Sequence, residues 1–202
     1  MKRPIFCILF ALIPLISFAQ GLIEPGYYID IKGEKHQGYF VINDVQQSYP
    51  PYFLFIKKRA SAPDTLYNSQ LAEVKVLDFH YERRQVKIYD AQATTNISEP
   101  KFKQTTIFLK TELQGHASLF SYMLDEKFTY FLGVGDEKPI QLIYQEFLKQ
   151  GNRTSTNVRF QFQMKEQLTC SKSIKFDELK YRRKDLIRAL SADNKCMASD
   201  YH

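Results

Sequence analysis

The chain has no tryptophan, and only three of its 202 residues are cysteine. The first absence counts against a broad aromatic platform for sugars, and the second excludes a dense disulfide scaffold. No G-x-S-x-G and no H-E-x-x-H occurs, so neither a nucleophile elbow nor a helical zinc motif is present, although a dispersed site stays open. Gly133, Val134 and Gly135 make a G-x-G, but the third glycine of a dinucleotide fingerprint is missing and no βα unit begins there, which leaves a tight turn. There is no internal repeat and no low-complexity tract. After the first 19 residues no apolar run is long enough to span a bilayer, which takes about 20 residues.

What is there begins with a leader. Lys2 and Arg3 precede an apolar run from Pro4 to Phe18, interrupted by Pro14, and small residues stand at Ser17 and Ala19. This is the grammar of a secretory signal peptide over residues 1–19, with cleavage after Ala19; a membrane anchor is the alternative. A lipoprotein anchor needs a cysteine at the first mature position, which holds Gln20, and Cys7 leaves with the leader. The mature product is therefore expected to be exported, periplasmic or extracellular, and without a transmembrane span. Its length suits one domain with a real core. Loss of Lys2 and Arg3 lowers the net charge from +6 to +4, and most of that excess lies in residues 171–202.

Sixteen Phe and thirteen Tyr suit half-buried strands. Alternating patterns predict a hairpin over 26–42 turning at Gly33 and Glu34, then strands over 52–58, 73–81 and 84–90, with a polar loop over 59–65 and a polar connection over 91–103. The strongest β signal follows, as three strands over 105–113, 116–123 and 127–134 joined by turn residues. No helix-length crossover separates them, which argues for an antiparallel meander. Residues 139–149 fit a helix or a strand, and so does the stretch from Val158 to Met164. Phe176, Leu179, Leu186, Ile187 and Leu190 predict an amphipathic helix. The fold class is α+β: an antiparallel meander of about seven strands over residues 20–150, with a C-terminal helical segment over 151–202 packed on the same domain.

Cys170 and Cys196 are the only cysteines after cleavage, and in an oxidising compartment such a pair reads as a disulfide, with free thiols or a metal site as alternatives. An extended stretch of about 17 Å over 171–175 and a helix returning about 22 Å allow the two to meet. Asp78, His80 and Glu82 alternate, so a strand would present them from one face, as metal ligands or an acid–base pair, or as the wet side of an edge strand. His36 and His116 stand alone in sequence. Lys180, Arg182, Arg183, Lys184 and Arg188 form a basic face that could meet lipopolysaccharide phosphates or another polyanion, tempered by Asp177, Glu178 and Asp185.

Several segments together, GEKHQGYF at 33–40, LAEVKVLDF at 71–79, TIFLKTELQGHASLFSY at 106–122, and Cys170 and Cys196 around a basic helix, resemble an uncharacterised family of exported proteins of Bacteroidetes-type bacteria. In that family the domain occurs alone or ahead of an outer-membrane β-barrel, and this chain, ending at His202, is expected to hold no barrel of that kind. The resemblance implies an envelope setting and a helix over 157–169, and it implies no reaction. Asp64-Thr65-Leu66 resembles the acceptor triplet of Bacteroidetes-type glycosylation and marks a surface loop. The expectation is a non-enzymatic binding or structural module of the cell envelope, holding a protein or glycan partner, with no cofactor and no nucleic acid. The alternatives are an exported hydrolase or metal-dependent enzyme with a dispersed site at Asp78, His80 and Glu82, and a polyanion binder working through the C-terminal helix.

Overall fold

The computed structural model describes residues 22–42, 50–59, 61–90, 101–124, 127–149 and 153–199. The expected leader, residues 1–19, lies outside them. Among the described residues twelve strands are formed: β1 (Leu22–Asp30), β2 (Lys35–Ile42), β3 (Tyr52–Ile56), β4 (Asp64–Tyr67), β5 (Leu71–Val76), β6 (Phe79–Tyr89), β7 (Phe102–Leu113), β8 (Ala117–Leu124), β9 (Lys127–Val134), β10 (Ile140–Gln141), β11 (Gln145–Lys149) and β12 (Arg153–Asn157). Two helices follow, α1 (Arg159–Gln167) and α2 (Arg183–Ser199). The C-terminal segment thus opens with a strand before its helices.

The α+β class holds, but the sheet is not a seven-stranded meander. Ten strands pair in the order β10-β9-β8-β7-β6-β5-β1-β2-β3-β4, and β10 also pairs with β6. That second pairing rolls β6 to β10 into a five-stranded barrel. The closing strand is two residues long. Ile140 lies antiparallel to Leu132 on one side and parallel to Lys87 on the other, and Tyr89 N–H donates to the Gln141 side chain at 2.6 Å. Register places Leu109 of β7, Phe120 of β8 and Phe131 of β9 on one face, where they pack with Val86 of β6 as the barrel filling.

The opposite face of β8 and β9 carries Ala117, Leu119, Tyr130 and Leu132, and the helices cover it. In α1, Phe160 and Met164 recur one turn apart on the buried side, with Leu168 just beyond. In α2, Leu186, Ala189, Leu190 and Asp193 do the same. A third cluster, built on Phe40, Phe53, Phe55, Tyr81 and Phe108, fills the other end of the sheet, with the Tyr81 and Phe108 rings stacked.

Three local expectations are corrected. One strand over 73–81 is in fact two, because the chain reverses at Leu77 and Asp78 with Val76 opposite Phe79. Leu77 has φ +50°, a conformation that costs a branched residue and that favours glycine or asparagine, so residue type hid the turn. The loop over 59–65 runs into β4, whose four residues are too few to show a period. The amphipathic helix begins at Arg183 instead of Phe176. Residues 176–178 form a single tight turn and the chain is extended at Leu179, which lets Tyr181 reach inward to accept from Tyr130 N–H at 3.0 Å and donate to Leu142 O at 2.9 Å. Residues 139–149 resolve as β10 and β11, and α1 falls within the 157–169 stretch.

Candidate functional site

The basic residues of the C-terminal segment divide into two roles. Arg183 opens α2 and turns back onto the sheet, where its Nε donates to Glu112 Oε2 at 2.5 Å. The Glu112 side chain is 3% exposed, accepts a further bond from the Ser121 hydroxyl at 2.6 Å, and lies 3.6 Å from Lys110 Nζ. Such a carboxylate needs its cation where it is, so Arg183 fastens α2 to β7, and it does not line the basic cleft described next.

Lys180, Arg182, Lys184 and Arg188 gather with Glu178 and Asp185 around an open cleft of about 320 Å³. Lys180 and Arg182 lie in the segment before α2, so the basic group is only partly helical. Asp185 organises it. Arg182 Nε donates to Asp185 Oδ2 at 2.6 Å and Arg188 Nη2 to Oδ1 at 3.1 Å. The Arg182 bond, together with the charges of Arg182, Arg188 and Lys184, holds the Asp185 carboxyl below the usual carboxylate range. Each guanidinium has five N–H donors and uses one on Asp185, so both are pinned with donors to spare. Lys180 and Lys184 have no carboxylate within ion-pair distance among the described residues. Four cations against two carboxylates, at the positive end of a 17-residue helix, suit an anion.

The alternating trio is not assembled as expected. Asp78 sits exposed in the β5–β6 turn, while His80 and Glu82 share a face of β6 with Glu73 of β5, which the sequence did not single out. His80 Nε2 is 3.0 Å from Glu73 Oε1 and Nδ1 is 3.6 Å from Glu82 Oε1. Tyr27 OH donates to Glu73 at 2.6 Å, and Glu82 is held by Thr111 and by a close ion pair with Arg84. Carboxylates therefore occupy both sides of the ring. The arrangement laces β1, β5, β6 and β7 together and leaves neither nitrogen aimed at open space. Accepting the Tyr27 hydrogen bond makes the Glu73 carboxylate the main reason that phenol is pushed up to about 12.

Cys170 and Cys196 form a disulfide, with Cα atoms 5.8 Å apart. Beside it, the buried Asp193 carboxylate accepts the N–H groups of Cys170 and Ser171 at 3.0 and 3.1 Å. Thr65 lies exposed on β4, and Gly135, with φ +56°, turns the chain after β9. His116 is exposed just before β8. No helix among the described residues is long and apolar enough to cross a membrane. No family model matches this chain, and neither a curated protein sequence nor a solved structure matches it.

Proposed function

We propose that the chain is an exported, non-enzymatic binding module of the cell envelope, of the Bacteroidetes-type family its segments resemble, and that it holds an anionic partner in the cleft at the start of α2. The observation that carries this is Asp185 fixing Arg182 and Arg188 beside two lysines that have no carboxylate within ion-pair distance among the described residues. Phosphate groups of lipopolysaccharide, or an acidic glycan, have the matching chemistry. The sheet edge offers less to a protein strand. Tyr67 N–H on β4 is already taken by Gln70 Oε1 at 3.0 Å, which shortens an edge of only four residues. A hydrolase built on His80 draws no support from a ring enclosed by Glu73 and Glu82.

Retention of the mature protein on immobilised lipopolysaccharide and on heparin, as a function of salt, tests this reading. The Lys180→Glu/Lys184→Glu variant should elute at clearly lower salt than the parent. Equal retention of the two would remove the cleft from the account. Recovery of the protein from the periplasmic or extracellular fraction, with its N-terminus at Gln20, tests the export half; recovery from the cytosol with residues 1–19 attached would end it.

A further inference from the structure

The β1–β2 hairpin brings together a mixed set of metal-ligating atoms that the sequence scatters. Its turn is set by Gly33, with φ +87°, whose N–H donates to Asp30 O at 3.0 Å. Asp30 Oδ1 accepts the N–H groups of Lys32 at 2.8 Å and Glu34 at 2.9 Å. That leaves Oδ2 free with its direction fixed. It lies 3.5 Å from His36 Nε2, and Glu34 Oε2 lies 3.9 Å from the same nitrogen. Asp30, Glu34 and His36 each offer one ligand atom, all within 4.8 Å of one another.

Two features separate this trio from an ordinary patch of surface acids. One ligand is an imidazole whose orientation is set independently, since strand register places His36 opposite Tyr28 and the rings stack with centroids 4.5 Å apart and planes 20° from parallel. The other is the spacing. Zinc bonds of about 2.0 to 2.1 Å in a tetrahedron require ligand atoms about 3.3 to 3.4 Å apart. The His36 to Asp30 separation is already close to that, and Glu34, on an exposed side chain, can turn to close the remainder. Amide bonds to the second oxygen of a ligating carboxylate are the kind of outer support that metal sites use.

We propose that Asp30, Glu34 and His36 bind one divalent transition-metal ion of the zinc class, with three protein ligands and solvent in the fourth position. One nitrogen and two carboxylate oxygens favour zinc over magnesium or calcium, which prefer all-oxygen shells with more ligands. The site is on a different element from the basic cleft and stands or falls without it.

The test is titration of the mature protein with zinc chloride, read by calorimetry and by NMR of the histidine rings and backbone amides. The expected result is one saturable equivalent, with shifts confined to residues 30–36 and the His36 ring. These should be lost in His36→Ala, and affinity should fall by about tenfold or more in Glu34→Gln. The Glu34 side chain is 70% exposed on the hairpin, so this variant keeps the fold and keeps the test decisive if His36→Ala does not. Magnesium chloride should give no saturable shift. Zinc binding that centres on His80 or His116, that persists unchanged in both variants, or that fails to saturate by millimolar zinc would overturn the assignment.

Discussion

Asn194 of α2 and Ala117 of β8 are joined as two strands would be: Ala117 N–H donates to Asn194 Oδ1 at 2.7 Å, and Asn194 Nδ2 donates to Ala117 O at 2.9 Å. The carboxamide has the same donor and acceptor layout as a peptide, so it completes the first residue of a strand with no further backbone. Gln163 of α1 makes a similar bridge at the end of the barrel's closing strand, donating to Gln141 O and accepting from Ile143 N–H just beyond it, both at 2.8 Å. The helices thus dock by satisfying strand ends as well as by covering apolar side chains.

Asn194→Ala should therefore lower stability by about 1 to 3 kcal/mol, since it leaves two backbone groups of the buried Ala117 without partners. Asn194→Asp should fall short of full rescue, because it keeps the acceptor and loses the donor. Urea unfolding of the three proteins measures this. Gly115→Ala probes the same contact from the other side, as a Cβ there would come within 2.3 Å of the Asn194 side chain.

Arg183→Ala should destabilise the fold while leaving anion retention close to the parent's. Among the described residues it leaves the buried Glu112 with Ser121 and the more distant Lys110, for which about 1 to 3 kcal/mol is reasonable given the half-exposed guanidinium. Paired with Lys180→Glu/Lys184→Glu, which should do the reverse, it separates the structural cation from the ligand-facing ones. Denaturation midpoints and salt elution together make the comparison.

Replacing Cys170 and Cys196 by serine should cost about 3 to 4 kcal/mol on the chain-entropy account, for a crosslink spanning 26 positions. The Asp193 bonds to Cys170 and Ser171 do not depend on the sulfurs, so the variant should retain its helical signal at low denaturant and unfold earlier. Circular dichroism followed through a urea series reads both quantities.

How much of this was legible in the sequence follows from the range of each interaction. The 26–42 hairpin and the three strands ending at 134 were visible because turn residues bracket alternating runs. The Leu77 turn was not, since leucine carries no turn signal, and neither was barrel closure, which rests on a two-residue strand without a period. The basic cluster was legible as composition, but its division was not: the Glu112 that claims Arg183 is 71 positions away. Asp30, Glu34 and His36 sit within seven residues of each other, and only the turn geometry at Gly33 shows that they converge.

Alkali should unfold the protein through its phenols. Tyr27 is pushed up to about 12 by its hydrogen bond to Glu73, with burial and the carboxylate charges adding to it. Burial, then the charge of Glu112, pushes Tyr81 up to about 12 as well, and Tyr181 is raised further by burial. A phenol that holds its proton more tightly folded than unfolded contributes stability that is complete below its unfolded value of 10 and disappears as pH rises through its folded value. Melting temperature should therefore be flat with respect to these groups below pH 10 and fall between 10 and 12. Tyr27→Phe removes one such proton and should make the fall shallower, at the expense of some stability at neutral pH, where Glu73 loses a donor. An unchanged slope in that variant would mean that Tyr27 titrates alike in both states and that its bond to Glu73 does not hold in solution.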